Sequence, residues 1–513
     1  MSASSPAGQQ PQQPQQPQQQ PYVIENVKVR FPPGTNAATK RLVQGILRRT
    51  ITPDGIQRLI RKGADPRVCI DLITTWTSGH ERYERWLRVC LLSLAIDDWS
   101  TPTALEAPLG IGLPGTDAGR LVLPLEQYEA AMMGIYTYLV KLDPSLANEA
   151  IVGSNVIHRA AMVGRTYSEG FIHGYLQLMM DNGASIDESA VLPEAARNSS
   201  YHVIEWLCQH LSPAQIKTAT DPWPFRFHRT PLGIAARRVA ELRSQDDGEE
   251  DPLVPRDATV SGMQRAIRTL LTSGAAIAMV RTPQQLPPDA RQQARDAHSV
   301  VLAEYLTVLN DKLPKAVMDG VNGALNPQRD AASVLTRLLP LARPAPPTTA
   351  TDTSTAAAAH APAAPSPFAL TDATAQVAWK IGAFLHEPEA VDTITLGQPV
   401  VAHRIKRAMQ RFVKCAATKT ADNEEVIGGM ANVGGRVVRV PLQCFAVREG
   451  PTVRRVGLRE VVHRARLDEA ARYGLTGVVK GFNSHLGNDD CQFGWGQLGW
   501  VNDIGLFQPL GIN

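Results

Sequence analysis

Cysteine is scarce and nowhere paired in sequence. Cys69, Cys90, Cys208, Cys415, Cys444 and Cys491 lie scattered over 513 residues with no C-x-x-C. That spacing excludes a disulfide-dense secreted frame and a zinc site built from close ligand pairs. Long apolar runs are also missing. Stretches such as Leu87–Ile96 fall far short of the ~18–20 residues that cross a bilayer. No apolar segment follows the N-terminus, so no secretory leader is expected, and the expected location is intracellular, in cytoplasm or nucleus. Neither sign of charge dominates. With 52 Lys and Arg against 49 Asp and Glu the net charge is +3, which by itself points to neither nucleic acid nor membrane.

What the chain does have is apolar residues enough, at 43%, to bury cores in about three domains of roughly 150 residues. Residues 1–21 are Gln/Pro repeats that have little surface to bury, and a disordered tail is expected there. A Pro/Ala/Thr stretch over 341–370 has the composition of a disordered linker. These divide the chain into a helical domain over 22–340 and a small α+β domain over 371–513.

Tyr22–Phe31 alternates apolar and polar residues, the period of one strand. Asn36–Arg49 has helical spacing. Thr52-Pro53-Asp54 reads as an N-cap followed by a proline at the first helical position, and Gly63 as the stop. Two further helices are expected over Arg67–Trp76 and Glu81–Ile96, the second with Trp86, Leu87, Cys90, Leu91 and Leu94 on one face. Leu125–Leu142 is a longer helix ended by Asp143-Pro144. His298–Leu313, Lys315–Leu325 and Gln328–Leu341 read as three helices capping the domain. Beyond the linker, Ala373–Leu385, Ala402–Cys415 and Val461–Tyr473 read as helices, and Gly435–Pro441 and Gln443–Val447 as strands.

The most organised stretch is Gly153–Asp187. In it Gly153, His158, Ala160, Ala161 and Gly164 open a short helix, and Gly183-Ala184 closes a longer one. Looser copies follow. Pro193, Ala195 and Ala196 precede His202–Leu207. Thr230-Pro231-Leu-Gly-Ile-Ala235-Ala236 precedes an acidic insertion and a second segment ending at Gly274-Ala275. Adjacent alanines let helices approach closely, and a lone helix pair cannot bury its own apolar face. This pattern resembles the ankyrin repeat, with Asn155 and Val156 where the family has Thr and Pro.

The resemblance implies an all-α solenoid of helix-turn-helix repeats over about 35–340. His158 becomes a structural clamp to a neighbouring backbone. The implied function is non-catalytic protein binding on a concave face. The contact positions are Ser154, Met162 and Val163 in the best copy, Arg197 and Asn198 in the next, and Arg226, Phe227, Arg229, Arg237 and Arg238 in the third. That last set is cationic and implies an acidic partner surface.

Other motifs carry less chemistry. Gly110–Gly115 and Gly494–Gly499 both spell G-x-G-x-x-G. Pro114 removes an N–H that a phosphate-binding turn would use, and only 14 residues follow Gly499, too few for a dinucleotide fold. Cys491 lies near His485, Asp489 and Asp490 without a placed base. No catalytic, cofactor or metal residue is therefore expected. Residues 401–480 hold sixteen Lys and Arg against seven Asp and Glu. Arg404, Lys406, Arg407, Arg411 and Lys414 share one side of a helix, opposite Ile405, Met409 and Phe412. A solvated face and an anionic contact with nucleic acid or lipid both fit them. An enzymatic 371–513 fed by the repeats is the other alternative.

Overall fold

Thr52-Pro53, Asp143-Pro144, Ser212-Pro213 and Thr230-Pro231 all start helical turns in the same way. The first side chain accepts a backbone N–H two or three residues on, from Gly55, Ser145, Gln215 and Gly233 respectively, and the proline opens the turn. Proline costs nothing there because its missing N–H would have no partner in the helix. In a computed structural model that describes residues 23–47, 51–78, 81–92, 125–151, 154–164, 167–186, 188–219, 230–244, 255–277, 291–338, 367–386, 399–418, 427–433, 436–480 and 491–512, the chain is mainly helical with small antiparallel sheets. The Gln/Pro tail, most of the Pro/Ala/Thr stretch and the G-x-G-x-x-G at Gly110 lie outside those residues. No helix among them is long and apolar enough to cross a membrane. The chain divides into two compact units, 1–206 with 249–259, and 207–248 with 260–513.

The first unit opens with β1 (Val23–Arg30), α1 (Ala37–Leu47) and α2 (Pro53–Arg61). Leu42, Val43, Ile46 and Ile56 are fully buried between the two helices' apolar faces. Next come β2 (Ile70–Ser78) and β3 (Glu81–Val89), which form an antiparallel sheet in the order β1-β2-β3. This corrects the expectation of helices over Arg67–Trp76 and Glu81–Ile96. Ile70, Ile73, Thr74, Thr75 and Thr77 are β-branched and stiff at χ1, which favours the pleated strand. Tyr83, Arg85, Leu87 and Val89 then alternate along β3, opposite Trp76, Thr74, Leu72 and Ile70.

Helix α3 (Leu125–Leu142) packs on α2 and on the later helix over Glu169–Asp181. A 3-10 turn at Pro144–Asn148 is tied back by Arg67, which donates to Asp143 Oδ2 at 2.6 Å and to Ser145 Oγ at 2.6 Å. After the short ladder of β4 (Ala150–Ile151) and β5 (Ser154–Asn155), four helices follow. They are α4 (Val156–Val163), α5 (Glu169–Asp181), α6 (Glu188–Arg197) and α7 (Tyr201–His210). Helix α4 packs on both α5 and α6. Ala160, Ala161, Ala195 and Ala196 are all at 0% exposure, so small side chains set the helix spacing. Buried Glu129 of α3 holds the start of α5, accepting from Ser168 N and Oγ at 2.6 Å each.

Gly164 ends α4 at a place with no room for a side chain. A Cβ there would lie 2.7 Å from Val203 Cγ2 and 3.4 Å from Ile172 Cδ1. Gly164→Val is expected to lower the unfolding free energy by about 2 kcal/mol, the range of core overpacking, as read by urea denaturation. Gly183, by contrast, is required by conformation: its φ of 91° is left-handed, and it ends α5 beside buried Ala184.

The second unit contains α8 (Pro213–Thr218), α9 (Pro231–Ser244), α10 (Arg256–Thr272) from residue 260 on, α11 (Arg291–Thr307) and α12 (Leu313–Leu338). Helix α11 packs on α9. Gly274 follows α10 with φ of 110°, and its Cα faces Pro213 so closely that a Cβ would sit 2.9 Å from the proline Cβ. A π-turn at Val308–Lys312 links α11 to α12. Helix α12 runs unbroken through Pro327, where two helices were expected. Buried Leu325 and Gln328 hold it on either side of the missing N–H.

Helices α13 (Pro367–Leu385) and α14 (Pro399–Thr418) pack on α12. The residues described on either side of the Pro/Ala/Thr stretch fall in the same compact unit. Gln328 joins the three helices, its Nε2 donating to Trp379 O at 3.1 Å and Ala417 O at 2.9 Å. Trp379 Nε1 donates to Ala416 O at 3.1 Å. Gln328→Leu keeps the volume and removes both bonds. It is expected to cost about 1–2 kcal/mol, measured as a fall in the denaturation midpoint.

The chain ends in a hairpin of β6 (Ile427–Val433) and β7 (Arg436–Pro441), a second of β8 (Phe445–Glu449) and β9 (Thr452–Val456), α15 (Leu458–Arg472), β10 (Leu498–Val501) and β11 (Phe507–Pro509). The last sheet is antiparallel in the order β11-β10-β8-β9, and α15 packs on α14. Tyr305 of α11 donates to Glu469 of α15 at 2.6 Å within the core.

Candidate functional site

The residues expected to contact a partner are placed unevenly. Gly153, Arg226, Phe227 and Arg229, and the side chains of Ser154 and Val163, lie outside the described residues. Met162 is half-buried near the end of α4. Arg197 and Asn198 close α6. Arg197 pairs with Glu194, while Asn198 Nδ2 donates to Glu194 O at 2.9 Å and Oε1 at 2.8 Å. Ser199 then turns the chain with a φ of 59°, an unusual value for a serine, and is itself buried.

Arg237 Nε donates to Glu241 Oε1 at 2.6 Å, and Arg238 lies 3.7 Å from Glu241 Oε2. One carboxylate therefore draws on both arginines, and the local field is weaker than two arginines on one helix suggest. Such half-exposed pairs on one helix contribute only about 0.3–0.5 kcal/mol each. His158 is half-buried. Its N–H donates to Asn155 Oδ1 at 2.8 Å, and among the described residues its ring makes no hydrogen bond. Helix-to-helix bridging falls instead to His173, whose Nε2 lies 3.2 Å from His202 O. Asn155 Nδ2 also donates to Ser185 O at 2.8 Å, joining the start of α4 to the end of its own pair.

One cluster has the donor set of a metal site and was missed in the sequence. His202 Nδ1 lies 3.6 Å from Glu205 Oε2 and 3.9 Å from Glu169 Oε2. The three ligand atoms fall within 4.8 Å of one another. Two carboxylates and an imidazole suit a divalent cation. The legible signal was His202-x-x-Glu205, one turn apart on α7. Glu169 joins it because the fold brings α5 up to His202, whose carbonyl His173 of α5 also reaches.

Part of the basic stretch is half-buried against aromatic rings. Arg404 stacks 4.6 Å from the Trp495 ring and lies 3.3 Å from Asp468, which also accepts from Trp495 Nε1 at 2.5 Å. Arg411 stacks 4.4 Å from Trp500, and Arg448 4.2 Å from Phe507. These pairs fasten α14 and β8 to the C-terminal aromatics. Arg407 and Lys414 face solvent and Lys406 is half-buried. Gly494–Gly499 forms a short 3-10 turn at Trp495–Gln497 running into β10, so no helix follows it. Cys491 is fully buried, and the six cysteines carry no disulfide.

Comparison with protein-family models, with characterised protein sequences and with solved structures finds no match to this chain.

Proposed function

We propose that the chain is a non-catalytic binding scaffold, an ankyrin-like solenoid of helix pairs that holds a protein partner along its concave face of turn tips and inner helices. The observation that carries this reading is the packing of α4 on both α5 and α6 across Ala160, Ala161, Ala195 and Ala196, none of which is exposed. Alanine pairs at this position let short helices stack at close range, and stacking is how an array of pairs buries a face that one pair leaves open. Left-handed Gly183 and Gly274, each followed by a buried alanine, support the same plan at the ends of two longer helices. The partner presents an acidic surface toward Arg229, Arg237 and Arg238, with Glu241 limiting the pull.

A photo-crosslinking residue placed in the full chain tests this. At Met162 or Asn198 it is expected to yield a discrete protein adduct, and at Gln177, exposed on the outer helix α5, none. Combining Met162 labelling with Arg229→Glu, Arg237→Glu and Arg238→Glu is expected to reduce the adduct at least tenfold. Equal adducts at all positions, or one indifferent to charge reversal, would reject the reading.

A further inference from the structure

Arg466 on α15 is 2% exposed, and no carboxylate pairs with it among the described residues. Its Nη2 donates to Asn310 Oδ1 at 2.8 Å and to Val479 O at 2.7 Å. Nη1 lies 3.4 Å from His463 Nδ1, and the Nε–H has no acceptor. A buried cation usually has a buried counter-ion, because desolvation without one costs several kcal/mol. Here burial pushes the guanidinium down to about 10, and the charge of exposed Asp311 offsets only part of that.

A cleft of about 270 Å³ opens beside Arg466. Lys315, Arg459, Arg466 and Lys480 line it, with Met318 and Val462 among its apolar walls. No acidic side chain lines it among the described residues. Glu460, the acid nearest in sequence on α15, turns its carboxylate back to cap Gly457 N at 3.0 Å. The first turn of α15 contributes Leu458 and Arg459 to the wall, and the positive end of the helix dipole adds to the potential there. His463, buried behind the cleft, is held neutral by burial first and then by Arg466 and Lys480.

We propose that this cleft binds the phosphate of a small phosphomonoester, which supplies the counter-ion that Arg466 lacks, with the ester's apolar body against Met318 and Val462. A phosphate dianion suits a wall that carries Arg466 and Lys315, and guanidinium groups match phosphate oxygens. The volume lies just under the range of small-molecule sites and holds one compact group rather than a polymer backbone.

Titration calorimetry on the full chain with inorganic phosphate and with phenyl phosphate tests the site. Saturable one-to-one binding is expected, tighter for phenyl phosphate. Lys315→Met with Lys480→Met is expected to weaken it at least tenfold while circular dichroism is unchanged. Arg407→Met, an exposed cation outside the cleft, should leave it intact. Flotation with phosphatidylcholine vesicles carrying phosphatidylinositol 4-phosphate identifies the source. Vesicle capture that phenyl phosphate competes away assigns a lipid headgroup, and phenyl phosphate binding without vesicle capture assigns a soluble ester. No saturable binding of either probe, or undiminished binding in the double variant, overturns the proposal.

Discussion

Alanine at position 499 is expected to detach β11 from the C-terminal sheet and to cost more than about 3 kcal/mol, at the top of the overpacking range. A Cβ on Gly499 would lie 2.0 Å from Gln508 O, 2.9 Å from its carbonyl carbon and 2.6 Å from Phe507 Cζ. Two of those three atoms are backbone. They cannot rotate away, and moving them breaks the pairing of Trp500 with Gln508 and Gly499 with Pro509. Phe507 also carries the stacked Arg448, and Trp500 the stacked Arg411, so the disturbance reaches β8 and α14. The internal control is Gly494. Its Cβ would meet only the Gln497 side chain, at 3.1 Å from Oε1, and that flexible amide can shift. Urea denaturation followed by near-ultraviolet circular dichroism should therefore separate Gly499→Ala sharply from Gly494→Ala. Equal midpoints would show that close approach is not the reason for glycine at 499. The G-x-G-x-x-G spacing at this end of the chain reflects strand packing, and a phosphate-loop reading of it has no structural counterpart.

How far such features can be seen in advance depends on the range of the interaction behind them. Thr52-Pro53 and Ser212-Pro213 are caps whose partners lie within three residues, so the letters suffice. The alanine pairs and terminal glycines of α4 to α6 are legible for the same reason, since the constraint repeats locally. The sequence of β3 mimics a helix because Trp86, Leu87, Cys90 and Leu91 satisfy a helical spacing by chance. Strand β3 pairs with β2, which ends just before it in sequence, and β2 pairs in addition with β1, about forty to fifty residues back, a pairing that leaves no mark in the local sequence. Trp86 belongs to no apolar helix face. It is 52% exposed with Arg30 stacked 5.4 Å away. Arg404 and Arg411 looked like a solvated face, because nothing within α14 tells that Trp495 and Trp500 come back to cover them. Arg466 is the extreme case. An arginine on an otherwise polar stretch of helix reads as surface, and only the packing of α15 in its own unit takes it out of water.

Acid is expected to unfold the second unit through His463. The imidazole is fully buried, and its pKa is pushed down to about 4, by desolvation first and then by Arg466 and Lys480. The native state thus binds fewer protons than the unfolded chain between about pH 4 and the ordinary histidine value of 6.5. The stability from keeping His463 neutral is fully present above pH 6.5. It is lost as pH falls toward 4, and it saturates below that. A shift of this size corresponds to about 3.5 kcal/mol at about 1.4 kcal/mol per pKa unit, most of it lost by pH 4. Glu469 acts in the opposite direction. Burial raises its pKa, so its cost is largest near neutrality and is relieved as acid protonates it. The two profiles are separable because His463→Gln removes only the first and leaves an oxygen acceptor for Arg466. Urea denaturation from pH 7.5 to 4 should show wild-type stability falling steadily while the variant's profile flattens by about 3 kcal/mol over the same window. Parallel profiles would mean that His463 is already charged at neutral pH beside Arg466, and the electrostatic account of the cleft would fall with it.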